Sequence, residues 1–216
     1  MVETEARGTV RYDAVLLAGG RASRLGGVDK TAIVADGVTL SDRALAAAEG
    51  AEQIVVVGLP DDRDAPSRAV RTREDPPFGG PVAALAAGTA ALSTPPRATS
   101  PSAVAPWTLV LACDLVHPGR AAAELLRIAA SRSDRMPTDG FVAVDDDGRR
   151  QPLLALYRSD ALRDALRAAG DPRDLSMRRL LAPLDLTSVP LSSAICADVD
   201  DPEDVARLVG DRGLLD

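Results

Sequence analysis

Short apolar runs alternate with alanine-rich helical stretches along this chain, and no other feature narrows its fold as much. Residues 13–17 (DAVLL), 53–58 (QIVVVG), 68–71 (RAVR) and 108–112 (TLVLA) read as strands. Helical stretches follow at 41–48, 81–92 and 120–130, the second with Pro81 at the favoured first helical position. Strands apolar on both faces need cover on both faces, and strand–helix–strand units turn right-handed. The expectation is an α/β fold, a three-layer αβα sandwich around a mainly parallel sheet.

The second half changes character. Residues 141–144 and 152–157 read as two strands around the acidic turn 145–148, which is most simply a solvated hairpin turn. Helices are predicted at 160–169 and 176–181. In the closing segment ADVDDPEDVARLV, Asp201 is a candidate N-cap, Pro202 the first helical residue, and Asp204 the partner in a capping-box arrangement. Residues 93–106 (STPPRATSPSAVAP) have no period and read as a flexible surface loop. The alternation resumes beyond it. The expectation is therefore one domain over 1–216 with an N-terminal tail at 1–11.

Composition sets bounds on function. Hydrophobic residues make up 46% but aromatics only 2%, so the core must be Ala, Val and Leu. A net charge of −7 argues against a general nucleic-acid or membrane surface, though not against one anionic ligand. Cys113 and Cys196 each follow an apolar stretch and read as buried reduced thiols in a cytoplasmic protein. A disulfide or a metal pair is the alternative. The first eleven residues lack the apolar stretch of a signal peptide, and no apolar run approaches the ~20 residues of a membrane span.

The chemistry concentrates in LLAGGRASRLGGVDK, residues 16–30. A buried strand ending in Gly19-Gly20 and running into Arg21, Arg24 and Lys30 suits a polyanion. Glycines let backbone N–H groups approach phosphate, and the cations neutralise it. Lys30 is the only lysine among 25 Lys and Arg residues. The spacing matches neither a Walker loop nor a dinucleotide fingerprint. Asp114, at the end of the strand 108–112, is a candidate metal ligand, because open α/β sheets bind ligands at the carboxyl ends of their strands. A turn aspartate is the plainer reading. His117 reads as an exposed loop histidine and Trp107 as a core residue.

The loop resembles the signature of GT-A-like nucleotidyltransferases, L-A-G-G-x-[SG]-x-R-[ML]-G-x-x-K. Within that class the chain is most similar to molybdenum cofactor guanylyltransferases. FGGPVAALAAG (78–88), LVLACDL (109–115), RRQPLLALYRSDALRDAL with LSMRRLL (149–181) and ADVDDPEDVARL (197–208) are similar, in order, to further segments of that family.

The resemblance implies a Rossmann-like GT-A nucleotidyltransferase fold and transfer of GMP from GTP to the terminal phosphate of molybdopterin, with Mg²⁺ and release of pyrophosphate. It implies that Leu17, Ala18, Gly19, Gly20, Arg21, Arg24, Lys30, Asp75 and Asp114 bind the nucleotide. Lys30, Arg24 and Asp114 would be catalytic, and Asp114 with Asp198 would hold the metal. Gln151-Pro152 falls on the acceptor side, and Asp200 is a further carboxylate candidate. The expected partners are GTP or CTP, molybdopterin and, transiently, molybdoenzyme-maturation proteins. Three features depart from the family pattern. Leu115-Val116 follows Asp114 where the family has [MT]-P, Asp198 and Asp200 stand where guanylyltransferases carry N-x-N, and the stretch 93–106 is long. The D-x-D keeps molybdopterin cytidylyltransferase, or another small phospho-acid nucleotidyltransferase, open as an alternative. A nucleotide- or pterin-binding module without turnover is the non-enzyme alternative.

Overall fold

The computed structural model describes residues 10–19, 30–60, 67–92, 104–132, 137–201 and 203–205. Its frame is a seven-stranded sheet. In chain order the strands are β1 (Tyr12–Leu17), β4 (Ile54–Val57), β5 (Ala69–Thr72), β6 (Trp107–Ala112), β7 (Gly140–Val144), β8 (Arg150–Arg158) and β9 (Leu186–Pro190). Across the sheet they run β5-β4-β1-β6-β8-β7-β9. Only β8 is antiparallel to its neighbours; the remaining pairings are parallel. A two-stranded ribbon, β2 (Val34–Ala35) with β3 (Val38–Thr39), completes the strand set of the described residues.

Each apolar run forms a strand because its alternate side chains enter different layers. On β1, Ala14 and Leu16 join one core, while Val15 and Leu17 join the other. Each fully buried Val or Leu contributes about 1.5–3 kcal/mol of transfer free energy, so a strand covered on both faces is strongly held. The first core is capped by α1 (Leu40–Ala47) and α3 (Pro118–Arg132), with α6 (Ser193–Cys196) at its end. The second is covered by α2 (Pro81–Leu92), α4 (Ser159–Ala169) and α5 (Met177–Leu181). Helix α2 can lie close to the sheet because of Gly88: a Cβ there would sit 2.5 Å from Val15 Cγ1. The expected three-layer arrangement is present.

Asp13 is the charged group inside this apolar frame, with no surface exposed. Its carboxylate accepts from the backbone N–H groups of Gln53, at 3.1 Å, and Ala105, at 2.8 Å. Burial raises its pKa, and the two N–H bonds oppose the rise. The partner Ala105 belongs to the stretch 93–106, of which residues 104–106 are described. There Ala105 is buried and the Pro106 carbonyl accepts from Ser159 N–H at 3.0 Å, so that end is anchored rather than a flexible surface loop.

Trp107 is a core residue, as expected, with its ring centroid 5.5 Å from that of Phe141 and the Arg158 guanidinium 4.8 Å over its face. Cys113 and Cys196 are both free and buried. His117 is half-buried and precedes α3; burial and the charges of Arg120 and Arg43 lower its pKa. No described helix is long and apolar enough to cross a membrane.

Candidate active site

The strand order places the site. Chain direction across the sheet reverses around β1, with β4 on one side and β6 on the other. Ligands in open α/β sheets bind in the crevice that such a reversal opens beyond the carboxyl ends of the strands. Here the residues emerging from β1 are Ala18 and Gly19, and those from β6 are Cys113 and Asp114. They open into a cleft of about 490 Å³ lined by Leu17, Gly19, Glu74, Phe78, Pro81, Asp114 and others.

Gly19 is held by a close backbone approach. Gly58, at φ +78°, packs so near that a Cβ on it would lie 2.9 Å from Gly19 Cα and 3.0 Å from Gly19 N. The Ala18 N–H donates to Val57 O at 2.8 Å. Gly20, Arg21 and Arg24 lie outside the described residues, and Lys30 resumes the description on a single 3-10 turn, Lys30–Ala32.

That turn is fixed from α1. The Ser41 hydroxyl donates to Thr31 O at 3.0 Å, and Thr39 caps the helix by accepting from Asp42 N–H at 3.1 Å. The ribbon between them turns through Asp36 (φ +51°) and Gly37 (φ +77°), two left-handed residues matched to an Asp-Gly hairpin. Arg43 of α1 ties this ribbon to the loop beyond Asp114. It donates to Ala35 O, to Asp36 Oδ2 at 2.8 Å and to Val116 O at 3.3 Å.

The closing segment supplies the other side. Leu115 and Asp198 form an antiparallel bridge. Val116 N–H donates to Ala197 O at 2.9 Å, and Val199 N–H to Asp114 O at 3.1 Å. Because side chains alternate along an extended segment, Val199 is buried while Asp198 and Asp200 face outward together. Asp201 caps the last turn, accepting from the N–H groups of Glu203 and Asp204 at 2.9 Å each. Asp204 reciprocates from its side chain to the N–H groups of Asp200 and Asp201, at 2.9 and 3.1 Å. The predicted capping box is formed, with Pro202 outside the described residues.

Three carboxylates and one ammonium meet here. Lys30 Nζ lies 2.5 Å from Asp200 Oδ1 and 3.6 Å from Asp114 Oδ2. Asp114, Asp198 and Asp200 each offer an oxygen within 4.8 Å of the others. Burial works against the Lys30 charge, but the Asp200 hydrogen bond and the three carboxylates outweigh it and raise the pKa. Burial raises the Asp114 pKa, with Lys30 opposing. Asp198 is pushed up to about 6, first by burial of its inner part and then by the charges of Asp114 and Asp200. A set of hard oxygen donors that repel one another is what a divalent cation stabilises.

A family model described as MobA-like NTP transferase domain matches residues 14–189, most of the chain. This protein belongs to that family. A molybdenum cofactor guanylyltransferase from Burkholderia orbicola is 36% identical over 173 residues, covering 73% of this chain and 76% of the relative. One from Pseudomonas aeruginosa is 29% identical over 89% of this chain and 92% of its own. The molybdopterin-guanine dinucleotide biosynthesis protein A of Archaeoglobus fulgidus shares the fold at a TM-score of 0.63 and 18% identity, covering 92% of this chain and 97% of that one.

Of the residues the family resemblance singled out, Leu17, Gly19, Asp114, Asp198, Gln151 and Pro152 line the one cleft. Lys30 joins them through Asp114. Asp75 is exposed and does not line the cleft; its neighbour Glu74 does. Sequence reasoning gave no site role to Glu74, Phe78, Leu115 and Leu153, which also line the cleft. Neither spacing nor residue type distinguished them. The acidic stretch 145–147 is the hairpin turn expected, with Asp145 Oδ1 accepting from Asp147 and Arg149 N–H groups at 3.0 and 2.9 Å.

Proposed function

We propose that this MobA-like protein transfers GMP from GTP to the terminal phosphate of molybdopterin. An oxygen of that phosphate attacks the α-phosphorus, the bond from Pα to the bridging oxygen breaks, and pyrophosphate leaves with the electron pair. The observation that carries the reading is the contact of Lys30 with Asp114 and Asp200 at the carboxyl ends of β1 and β6, in a chain whose curated relatives are named for this activity.

Each residue has work suited to its chemistry. Gly19 and the following Gly20 present backbone N–H groups to the triphosphate, and Arg21 and Arg24 neutralise it, Arg24 as a planar fork. Lys30, a compact charge on a flexible stem, follows the α-phosphoryl through bond breaking. The tight Gly58–Gly19 approach fixes the backbone of Gly19, where the loop begins, before substrate arrives. Asp114 with Asp198, and Asp200 beside them, would hold Mg²⁺. When bound, the ion offsets charge on the phosphates and orients them.

On this reading the acceptor lies toward Gln151 and Pro152, which line the same cleft as Gly19. Gln151 is steadied there by donating to Asp145 Oδ2 at 2.9 Å. A second reading, CMP transfer from CTP, is favoured by one observation: aspartates occupy positions 198 and 200 of the closing segment, where guanylyltransferases carry N-x-N. A cytoplasmic setting is supported by the two buried free thiols.

The test is pyrophosphate release with Mg²⁺, molybdopterin and each nucleoside triphosphate in turn. Release with GTP above the others is the expected result. Release with CTP alone would replace guanylyl by cytidylyl transfer, and no release with any triphosphate would overturn the enzyme reading.

A further inference from the structure

Strand β8 carries a proline in the interior of the sheet. It runs between β6 and β7, and Pro152 has no N–H to give to either ladder. A proline away from a sheet edge is accommodated at a bulge, and one is present. Tyr157, Leu156 and Ala155 pair in register with Gly140, Phe141 and Val142 of β7, but Ala143 then pairs with Gln151. Pro152, Leu153 and Leu154 are therefore passed over by β7, and β6 takes up only Leu154, opposite Leu111. The extra chain sits at the cleft, where Gln151, Pro152 and Leu153 all form part of the lining.

A bulge deprives backbone carbonyls of their ladder partners. Tyr157 serves one of them. Its hydroxyl donates to Pro152 O at 2.8 Å, five positions back on the same strand. A straight strand rises about 3.3 Å per residue, which would set the two about 16 Å apart and out of reach of one side chain. The bulge shortens that span to the length of a tyrosine. Gly140, opposite Tyr157, clears the path, since a Cβ there would lie 3.0 Å from Tyr157 Cδ1 and 2.9 Å from Leu156 O. The ring is fully buried in the second core. Burial raises the phenol pKa, so the hydroxyl keeps its proton and remains a donor. Apolar packing needs only the ring; the oxygen is spent on the backbone of the cleft wall.

We infer that Tyr157 is a positioning residue: through Pro152 O it fixes the bulge, and so sets where Gln151, Pro152 and Leu153 stand on the cleft wall. Its part in the reaction rests on the transfer reading above, in which that wall takes the acceptor. A misplacement of about 1 Å at a bound reactant is enough to slow a transfer strongly. The Gln151 side chain is held separately by Asp145 Oδ2 at 2.9 Å, so one contact holds the side chain and another the backbone that follows it. β1, which leads into the phosphate loop, is separated from β8 by β6. Loss of the hydroxyl should therefore be felt by the acceptor and not by the nucleotide.

Tyr157→Phe removes the oxygen and keeps the ring that fills the space beside Gly140. Two measurements on the full chain decide the role. Hydrogen exchange reads the wall without substrate: the amides of Gln151 and Leu153 should exchange at least about fivefold faster in the variant, while those of β1 and β4 stay within about twofold. Pyrophosphate release with Mg²⁺, GTP and molybdopterin reads the consequence. KM for molybdopterin should rise about three- to thirtyfold, as expected for loss of one buried hydrogen bond, with KM for GTP within about twofold. Unchanged exchange at Gln151 and Leu153 would overturn the proposal. So would an unchanged KM for molybdopterin, or equal rises in both KM values, the pattern of a core loosened throughout. Absence of pyrophosphate release from the wild-type protein would instead remove the transfer reading, and exchange at Gln151 and Leu153 would still decide whether Tyr157 sets the wall.

Discussion

Lys30 and Asp200 are 170 positions apart in sequence, and their charged groups meet at 2.5 Å. The ammonium thereby stands among the three carboxylates best placed to hold a divalent cation. Lysine and metal compete for the same oxygens. Lys30→Met should therefore tighten binding of Mg²⁺ or Mn²⁺ alone by about tenfold, because a unit charge a few ångströms away costs on the order of 1–4 kcal/mol. The same variant should lose about 10²–10³ in transfer rate, the usual effect of removing one preorganised charge-stabilising donor. Metal titration without nucleotide checks the first effect and pyrophosphate release the second. Unchanged metal affinity would sink the competition.

Lys30→Arg should not restore the rate. A guanidinium fork prefers two oxygens in a fixed plane, whereas the position asks for a compact charge that can leave Asp200 for a phosphoryl. Turnover near wild type in this variant would refute that role.

Asp114→Ala should abolish metal binding and reduce transfer by at least about 10². Asp114 is half-buried at the end of β6 and receives Val199 N–H on its own backbone carbonyl, not its carboxylate. Loss of the carboxyl therefore leaves the chain path intact. A variant with normal metal affinity would show that Asp114 is only a turn residue.

Metal affinity should depend on pH through Asp198, whose pKa is pushed up to about 6. The folded value lies above the ordinary 3.8, so the proton is bound more tightly in the folded state. This group's contribution to stability is present below about pH 4 and is lost as pH rises through 6. Metal binding runs the other way, because only the deprotonated carboxylate ligates. Affinity should rise about tenfold from pH 5 to 7 and then level off, since Lys30 stays charged throughout. Calorimetric titration at each pH checks this, and Asp198→Asn should flatten the profile.

Gly58→Ala should destabilise the fold by about 1–3 kcal/mol, lowering Tm by at least ~2 °C. The new Cβ would meet Gly19 backbone at 2.9 Å from a residue already at φ +78°. Since the displaced atoms open the phosphate loop, GTP affinity should fall in the same variant. Thermal denaturation with and without GTP separates the two effects.

Much of the fold is legible in local pattern. The helix expected at 81–92 is α2 with the same limits, because Pro81 starts it and its apolar residues need no tertiary partner to be recognised. β4, β5 and β6 shift by a residue or so from the runs that announce them. The ribbon β2–β3 escaped because its strands are two residues each, although Asp36-Gly37 is a hairpin signal. β9 escaped because LTSVP mixes polar and apolar residues and ends in Pro190. Such a run is tolerated at a sheet edge, and β9 is an edge strand.

The sequence by itself determined the layers, the glycine loop and the individual residues Lys30 and Asp114. Periodicity acts over a few residues, and a signature motif is contiguous, so both can be read along the chain. The family resemblance already paired Asp198 with Asp114; only the tertiary structure decided that Lys30 links Asp114 to Asp200, and that Glu74 rather than Asp75 lines the cleft. Those placements depend on strand order and on the antiparallel register of Leu115 with Asp198. Register between distant segments is set by which side chains can be buried together, and Val199 goes inside so that its two neighbours must face out.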